Sequence, residues 1–207
     1  MYQFAIVGCG RIARRHAENI QEVGKLVAVC DVVPERAQHL AEAFHCRSYT
    51  SIEALLASEK EVDVISVCTP NGFHAEHAIK SLQAGKHVLC EKPMCLTPAA
   101  AWQMIETEKF CRKQLFVVKS TRYNPILRQL KKLLDENTLG RLYSFHLSCI
   151  WNRPPSYYTE WRGKQFPDGG TLYTQFSHYI DATIWLFGGI REVKGYSVNA
   201  AHADSIE

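Results

Sequence analysis

The sequence predicts a doubly wound α/β domain followed by a smaller second part with a different pattern. Three observations carry this. Short apolar runs recur at residues 4–7, 26–30, 64–68, 87–90 and 115–118, and their nearly continuous apolar character suits strands buried on both faces of a parallel sheet. Amphipathic stretches separate them: Ile12, His16, Ile20 and Val23 share one helical face, and Ala75, Ala78, Ile79 and Leu82 share another. This alternation is that of repeated βαβ units. Finally, the first run ends in a Gly-x-Gly-x-x-Ala loop, Gly8 to Ala13, just where a helix should begin.

Composition limits the function classes. The chain has 207 residues, 46% hydrophobic and 22% charged, with a net charge of +3. That is globular composition, and the weak charge with no basic run argues against nucleic acid or an anionic membrane as partner. No apolar stretch is long enough to span a bilayer. Met1-Tyr2-Gln3-Phe4 runs straight into the first strand without the basic region and cleavage site of a signal peptide, so a cytoplasmic location is expected. The eight cysteines include no Cys-x-x-Cys pair. Cys9, Cys30, Cys68 and Cys90 sit in or just after apolar runs, as buried reduced thiols do; no metal site is expected.

Each position of the loop has a mechanical reason. Gly8 makes the tight turn, Gly10 lets the backbone approach a pyrophosphate, and Ala13 is small enough for close helix–strand packing. The N-terminus of the following helix offers N–H groups and a positive dipole end to an anion, beside Cys9, Arg11 and Ile12. Asp31, just past the second run, can accept hydrogen bonds from ribose hydroxyls and would repel a 2′-phosphate, which points to NAD over NADP. Capping the turn before Pro34 is its plainer role. Further strand tips carry Thr69-Pro70-Asn71, with His74 opening the next helix, and Glu91-Lys92-Pro93. Carboxyl ends of parallel strands are where open α/β sheets place their ligands.

The pattern changes after Thr121, so the predicted domains are 1–121 and 122–207. Asn124-Pro125 opens a helix over residues 126–134. A mixed strand is expected over 141–151, a long loop from Pro154-Pro155 to Gly170, a helix over 172–186 ending at Gly188-Gly189, and a last strand over 191–198. Two strands and two helices are thin for a free-standing unit. The expectation is a small domain leaning on an oligomeric partner, or a truncated one.

Together, Gly8 to Ala13, Thr69-Pro70-Asn71 with His74, and Glu91-Lys92-Pro93 resemble the motifs of the Gfo/Idh/MocA oxidoreductases (the glucose–fructose oxidoreductase and inositol dehydrogenase family). Arg122-Tyr123-Asn124-Pro125, Trp161-Arg162-Gly163, Gly169-Gly170 and His178-x-x-Asp181 extend the resemblance along the whole chain in the right order. It implies an NAD-binding Rossmann domain followed by an α+β open-sheet domain that binds substrate and builds a homo-oligomer. It implies a small-molecule sugar or nucleotide-sugar substrate. Lys92 and His178 would be catalytic, Lys92 as cationic donor and His178 as the base that takes the hydroxyl proton. Glu91, Lys92, Arg122, Trp161 and Arg162 would touch the cofactor. Tyr123, Asn124, Arg153, Tyr157, Tyr158 and Thr174 would line the substrate together with Lys92 and His178, and Asp181 would be structural.

Many members of that family carry an aspartate one helical turn before the histidine; here it is Thr174. Members acting on nucleotide-linked sugar acids also lack it and carry a similar Arg, Tyr-Tyr, Trp-Arg-Gly stretch. The resemblance therefore leads to NAD-dependent oxidation of a ring hydroxyl, of a UDP-linked N-acetylated uronic acid at carbon 3 in its narrowest form. A family glycoside hydrolase using tightly held NAD, or a non-catalytic NAD- and sugar-binding regulator, are the alternatives.

Overall fold

The computed structural model describes residues 1–158, 160–196 and 198. The chain divides into two compact units, Met1–Val118 and Lys119–Glu207.

The first unit is a six-stranded parallel sheet. Its strands are β1 (Tyr2–Val7), β2 (Gly24–Cys30), β3 (Arg47–Tyr49), β4 (Val64–Val67), β5 (His87–Cys90) and β6 (Leu115–Val117), in the order β3-β2-β1-β4-β5-β6. Helices α1 (Ala13–Val23), α2 (Pro34–Phe44), α3 (Ile52–Ser58), α4 (His74–Gln83) and α5 (Pro98–Cys111) connect them. All five apolar runs are strands. Two buried clusters lie against the sheet: one joins Ala5, Val7, Ile65, Val67 and Val88 to Leu55, Leu82 and Met104, the other joins Ile6 and Val29 to Ala13, Ala17, Ile20 and Leu40. The short strand β3 carries no apolar run and is not legible in sequence. It is an edge strand, exposed at Arg47 and Ser48, and needs only the ladder to β2. On α1 the buried face is Ala13, His16, Ala17 and Ile20, whereas Ile12 and Val23 are exposed; the true stripe is narrower than the predicted one.

The second unit contains α6 (Pro125–Asp135), capped by the Asn124 side chain on the Ile126 N–H at 2.9 Å, and α7 (Ser177–Phe187), which ends at Gly188 with φ +91°. A π-helical turn, Leu172–Phe176, leads into α7. The strand predicted over 141–151 is absent: residues 141–150 are irregular and mostly exposed, with Phe145 54% and Leu147 48% exposed. A strand exists through its ladder, and no second strand is present among the described residues of this unit to pair with it. The last predicted strand falls partly outside the described residues; 191–196 form none. All eight cysteines are free, and burial pushes the Cys30 thiol up to about 12 and the Cys46 thiol up to about 11.

Candidate active site

Strand register sets the site in the first unit. Val7 pairs with both Cys30 and Val67, and Val67 pairs with Cys90. The ladder runs one residue further: Gly8 N–H donates to Cys30 C=O at 2.7 Å, Cys68 N–H to Val7 C=O at 2.7 Å and Glu91 N–H to Val67 C=O at 2.9 Å. Gly8, Asp31, Cys68 and Glu91 therefore form a row along the carboxyl edge of the sheet. The chain reverses its winding between β1 and β4, the crevice where doubly wound sheets hold dinucleotides.

The two loop glycines have different reasons to be glycine. Gly8 has φ +94°, and a Cβ there would lie 2.6 Å from the Cys68 carbonyl carbon and the Thr69 nitrogen. Gly8 is needed by the fold itself. A Cβ on Gly10 would meet nothing within 4 Å, so that position is kept open only for something that approaches the loop. Ala13 is fully buried against the sheet. Ile12 gives α1 no side-chain cap, which leaves the helix end suited to an anionic ligand. Arg11 and Ile12 are exposed beside it. Gly10→Ala should therefore leave the melting temperature within about 2 °C while weakening dinucleotide binding roughly tenfold or more. Gly8→Ala should cost about 3 kcal/mol of stability. Thermal melts and NADH fluorescence titrations of both variants check the pair.

Asp31 ties the loop down. Its carboxylate accepts from the Cys9 N–H at 2.7 Å and from the Val33 N–H at 2.9 Å. The turn-capping role is thus real, and it orients the carboxylate beside the loop.

At the β4 tip, Thr69 and Pro70 are half-buried and Asn71 is buried. The Thr69 hydroxyl pairs with His77 Nδ1 at 3.0 Å. His74 is 1% exposed, with Nδ1 at 2.6 Å from the Pro93 carbonyl and Nε2 at 2.8 Å from the Thr69 carbonyl. It is an internal brace between two strand tips, and burial pulls its imidazole below the ordinary value against the two carbonyls. Glu91 is also turned inward. One oxygen meets His16 Nε2 at 2.9 Å and the other accepts from the Lys92 N–H at 3.1 Å. Burial favours the neutral carboxyl, but His16 and Lys92 outweigh it and hold Glu91 below the usual range. Lys92 is half-buried.

In the second unit, Arg122 makes a two-pronged ion pair with Asp181, both contacts 2.8 Å. Burial opposes the Asp181 charge, yet Arg122 and Lys119 keep its carboxyl low. His178 is half-buried, its Nδ1 3.2 Å from the Thr121 hydroxyl. It lies in an open groove of about 740 Å³ with Tyr123, Asn124, Trp151 and Gln175. Trp151 and Gln175 also line a narrower cavity of about 190 Å³ that contains Arg153, Tyr157, Tyr158 and Thr174. The Arg153 guanidinium stacks 4.7 Å from the Tyr157 ring centroid, and Arg162 sits 5.0 Å from the rings of both Tyr157 and Trp161. Arg153 Nε is buried without a hydrogen-bond partner among the described residues.

Thr174 is 8% exposed and its hydroxyl donates to the carboxylate of Asp168, itself 3% exposed and also accepting from the Gly163 N–H at 2.7 Å. Sequence reading missed Asp168, His16 and Ser66. The signals were a lone serine in an apolar strand, a histidine on an apolar helix face, and an aspartate beside paired glycines.

A parallel sheet in this order, with a glycine loop at its reversal point and an uncapped helix behind it, defines a dinucleotide-binding domain. Residues 2–119 match the family described as "Oxidoreductase family, NAD-binding Rossmann fold", and residues 127–207 match the GFO/IDH/MocA C-terminal domain. The chain belongs to the Gfo/Idh/MocA oxidoreductase family. It is similar to the WlbA dehydrogenase of Chromobacterium violaceum, solved in complex with NADH and UDP-GlcNAcA: 34% identity, TM-score 0.95, covering 100% of this chain and 61% of that one. The Bordetella pertussis WlbA dehydrogenase is 37% identical with TM-score 0.87, covering 90% of this chain and 55% of that one. Among curated relatives, the D-glucoside 3-dehydrogenase of Escherichia coli K12 is 33% identical over 199 residues, 93% of this chain and 56% of that protein. The chain thus spans little more than half the length of that relative.

Proposed function

We propose that this protein oxidises a ring hydroxyl of a nucleotide-linked sugar acid, with NAD as acceptor; the narrowest form of the reading is a UDP-linked N-acetylated uronic acid oxidised at carbon 3. The observation that carries it is Arg153, whose buried Nε lacks a partner among the described residues, in a cavity lined by aromatic rings. A buried guanidinium nitrogen left unpaired costs free energy, and a carboxylate or diphosphate is its natural complement. The rings of Tyr157 and Tyr158 offer faces for a sugar or base. Relatives solved with UDP-GlcNAcA support the same substrate class.

Bound NAD supplies the hydride acceptor; the remaining work falls to the chain. Lys92 is the cationic donor that steadies the developing alkoxide. His178 takes the hydroxyl proton; its ring is oriented by the Thr121 hydroxyl at Nδ1. The Glu91 contact with His16 and the Arg122 contact with Asp181 make both residues supports for their neighbours as well as candidates for touching the cofactor.

Asp31 favours NAD over NADP. NADP should bind roughly tenfold weaker or worse, and Asp31→Ser should narrow that gap while loosening the loop it caps. Calorimetric titration with both dinucleotides measures this. The reading includes a homo-oligomer built through the C-terminal domain and a cytoplasmic location. Among the described residues no helix is long and apolar enough to cross a membrane.

The test is NADH formation by the full-length protein with NAD and a panel of sugars, glycosides and nucleotide sugars. Net NADH with a UDP-linked uronic acid supports the reading. Glycoside cleavage without net NADH would move the protein to hydrolysis, and dinucleotide binding with neither outcome would make it a regulator.

A further inference from the structure

Beneath the glycine loop lies a chain of three buried polar side chains. His16 is on the first turn of α1, three residues after Ala13, and is 9% exposed. Its Nδ1 lies 2.7 Å from the hydroxyl of Ser66 on β4, and its Nε2 lies 2.9 Å from the Glu91 carboxylate at the tip of β5. Ser66 is fully buried and Glu91 is 9% exposed. One arrangement satisfies every atom: Ser66 donates to Nδ1, Nε2–H donates to an ionised Glu91, and the second Glu91 oxygen accepts the Lys92 N–H at 3.1 Å. The set has the residue types of a hydrolytic triad, but Ser66 has no surface for a substrate to reach, so nucleophilic chemistry is excluded.

A polar chain in the core is expensive, and apolar residues of similar volume would often be at least as stable. What this one does is geometric. His16 joins the helix that opens at the glycine loop to the strand tip that carries Lys92. The His16–Glu91 pair is a direct side-chain link between α1 and the β5 tip, independent of the sheet ladder. We infer that His16 is a positioning residue, a strut that registers the Glu91-Lys92-Pro93 tip against the dinucleotide loop. The inference rests on the proposed reading for the purpose of that register, but the strut itself can be read without any chemistry.

The experiment uses full-length His16→Phe, His16→Gln and His16→Met beside the wild type. Two quantities are read: NADH affinity by fluorescence, and the rate at which an amine acylating reagent labels Lys92, resolved by peptide mass spectrometry. His16→Phe keeps the volume and loses both hydrogen bonds; we expect NADH affinity to fall at least tenfold and the Lys92 labelling rate to change at least threefold. His16→Gln, whose amide can still donate to Glu91, should recover most of both. Wild-type affinity and labelling in a folded His16→Phe protein would overturn the strut. Should His16→Phe fail to fold, His16→Met, apolar and more adaptable in a packed site, is judged by the same two readouts: losses like those expected for His16→Phe support the strut, and wild-type values in both overturn it. Failure of the wild type to bind NADH would sink the proposed function instead, and Lys92 labelling would then decide the strut alone.

Discussion

Lys92→Ala should lose about a thousandfold in turnover, within the range for removal of a positioned proton-transfer or charge-stabilising group, while NAD affinity moves by less than roughly threefold. The split follows from where the parts sit. The dinucleotide loop is built from β1, α1 and the Asp31 carboxylate, with Gly8 N–H on the Cys30 carbonyl and Cys9 N–H on Asp31. The β5 tip is held by Glu91, through His16 and the Lys92 backbone N–H, and that bond survives truncation of the side chain. Lys92→Arg keeps the charge in a bulkier, planar head, so only partial activity should return. Steady-state kinetics beside NADH titration separate the two effects. Equal losses of turnover and NAD affinity would remove Lys92 from the chemistry and make it a cofactor contact.

The second large effect concerns Thr174. Restoring the aspartate that many family members carry looks conservative in sequence and should be damaging here. The Thr174 hydroxyl donates to Asp168, and both residues are buried. An aspartate at 174 would set two carboxylates against each other, so that one must hold a proton. Thr174→Asp should cost about 3 kcal/mol at pH 7. A carboxyl whose folded pKa is raised is tolerated below its unfolded value of about 4 and increasingly penalised as pH rises toward the folded value. The deficit should therefore be small near pH 4 and largest at neutral pH, a slope that urea unfolding at a series of pH values measures. Thr174→Val, which removes the donor without adding charge, should cost about 1–3 kcal/mol with no such slope. A pH-independent loss in the aspartate variant would mean the two carboxylates do not interact.

The Asp168–Thr174 pair also bears on what the missing aspartate means. The proposed base, His178, has no carboxylate one turn before it, but a buried carboxylate stands directly behind the residue that fills that place. That carboxylate belongs to Asp168, in the loop of residues 163–170. Sequence reading saw only the threonine, because Asp168 is six residues away and its side chain reaches position 174 through a loop turned by Gly163, Gly169 and Gly170, all with positive φ.

Five strands, the buried face of α4 and, on α1, His16 and Ile20 were legible because burial on both sides of a parallel sheet leaves apolar runs in the chain. The polar edge strand β3 was not, since its formation depends on a neighbour and not on its own residues. The strand expected over 141–151 failed for the same reason: alternating apolar residues make a strand only where a partner offers its ladder. The glycine loop was readable because a positive φ and a 2.6 Å approach at Gly8 admit no other residue.

By itself, then, the sequence determined the doubly wound sheet, the dinucleotide loop at its reversal point and the family to which the chain belongs. These depend on local periodicity and on steric demands that single positions must meet. Only the tertiary structure decided which polar residues meet. His16, Ser66 and Glu91 are distant in sequence, and Thr174 and Asp168 are joined across a glycine-turned loop; a buried hydrogen bond is a property of a pair, and one side chain's identity does not reveal its partner.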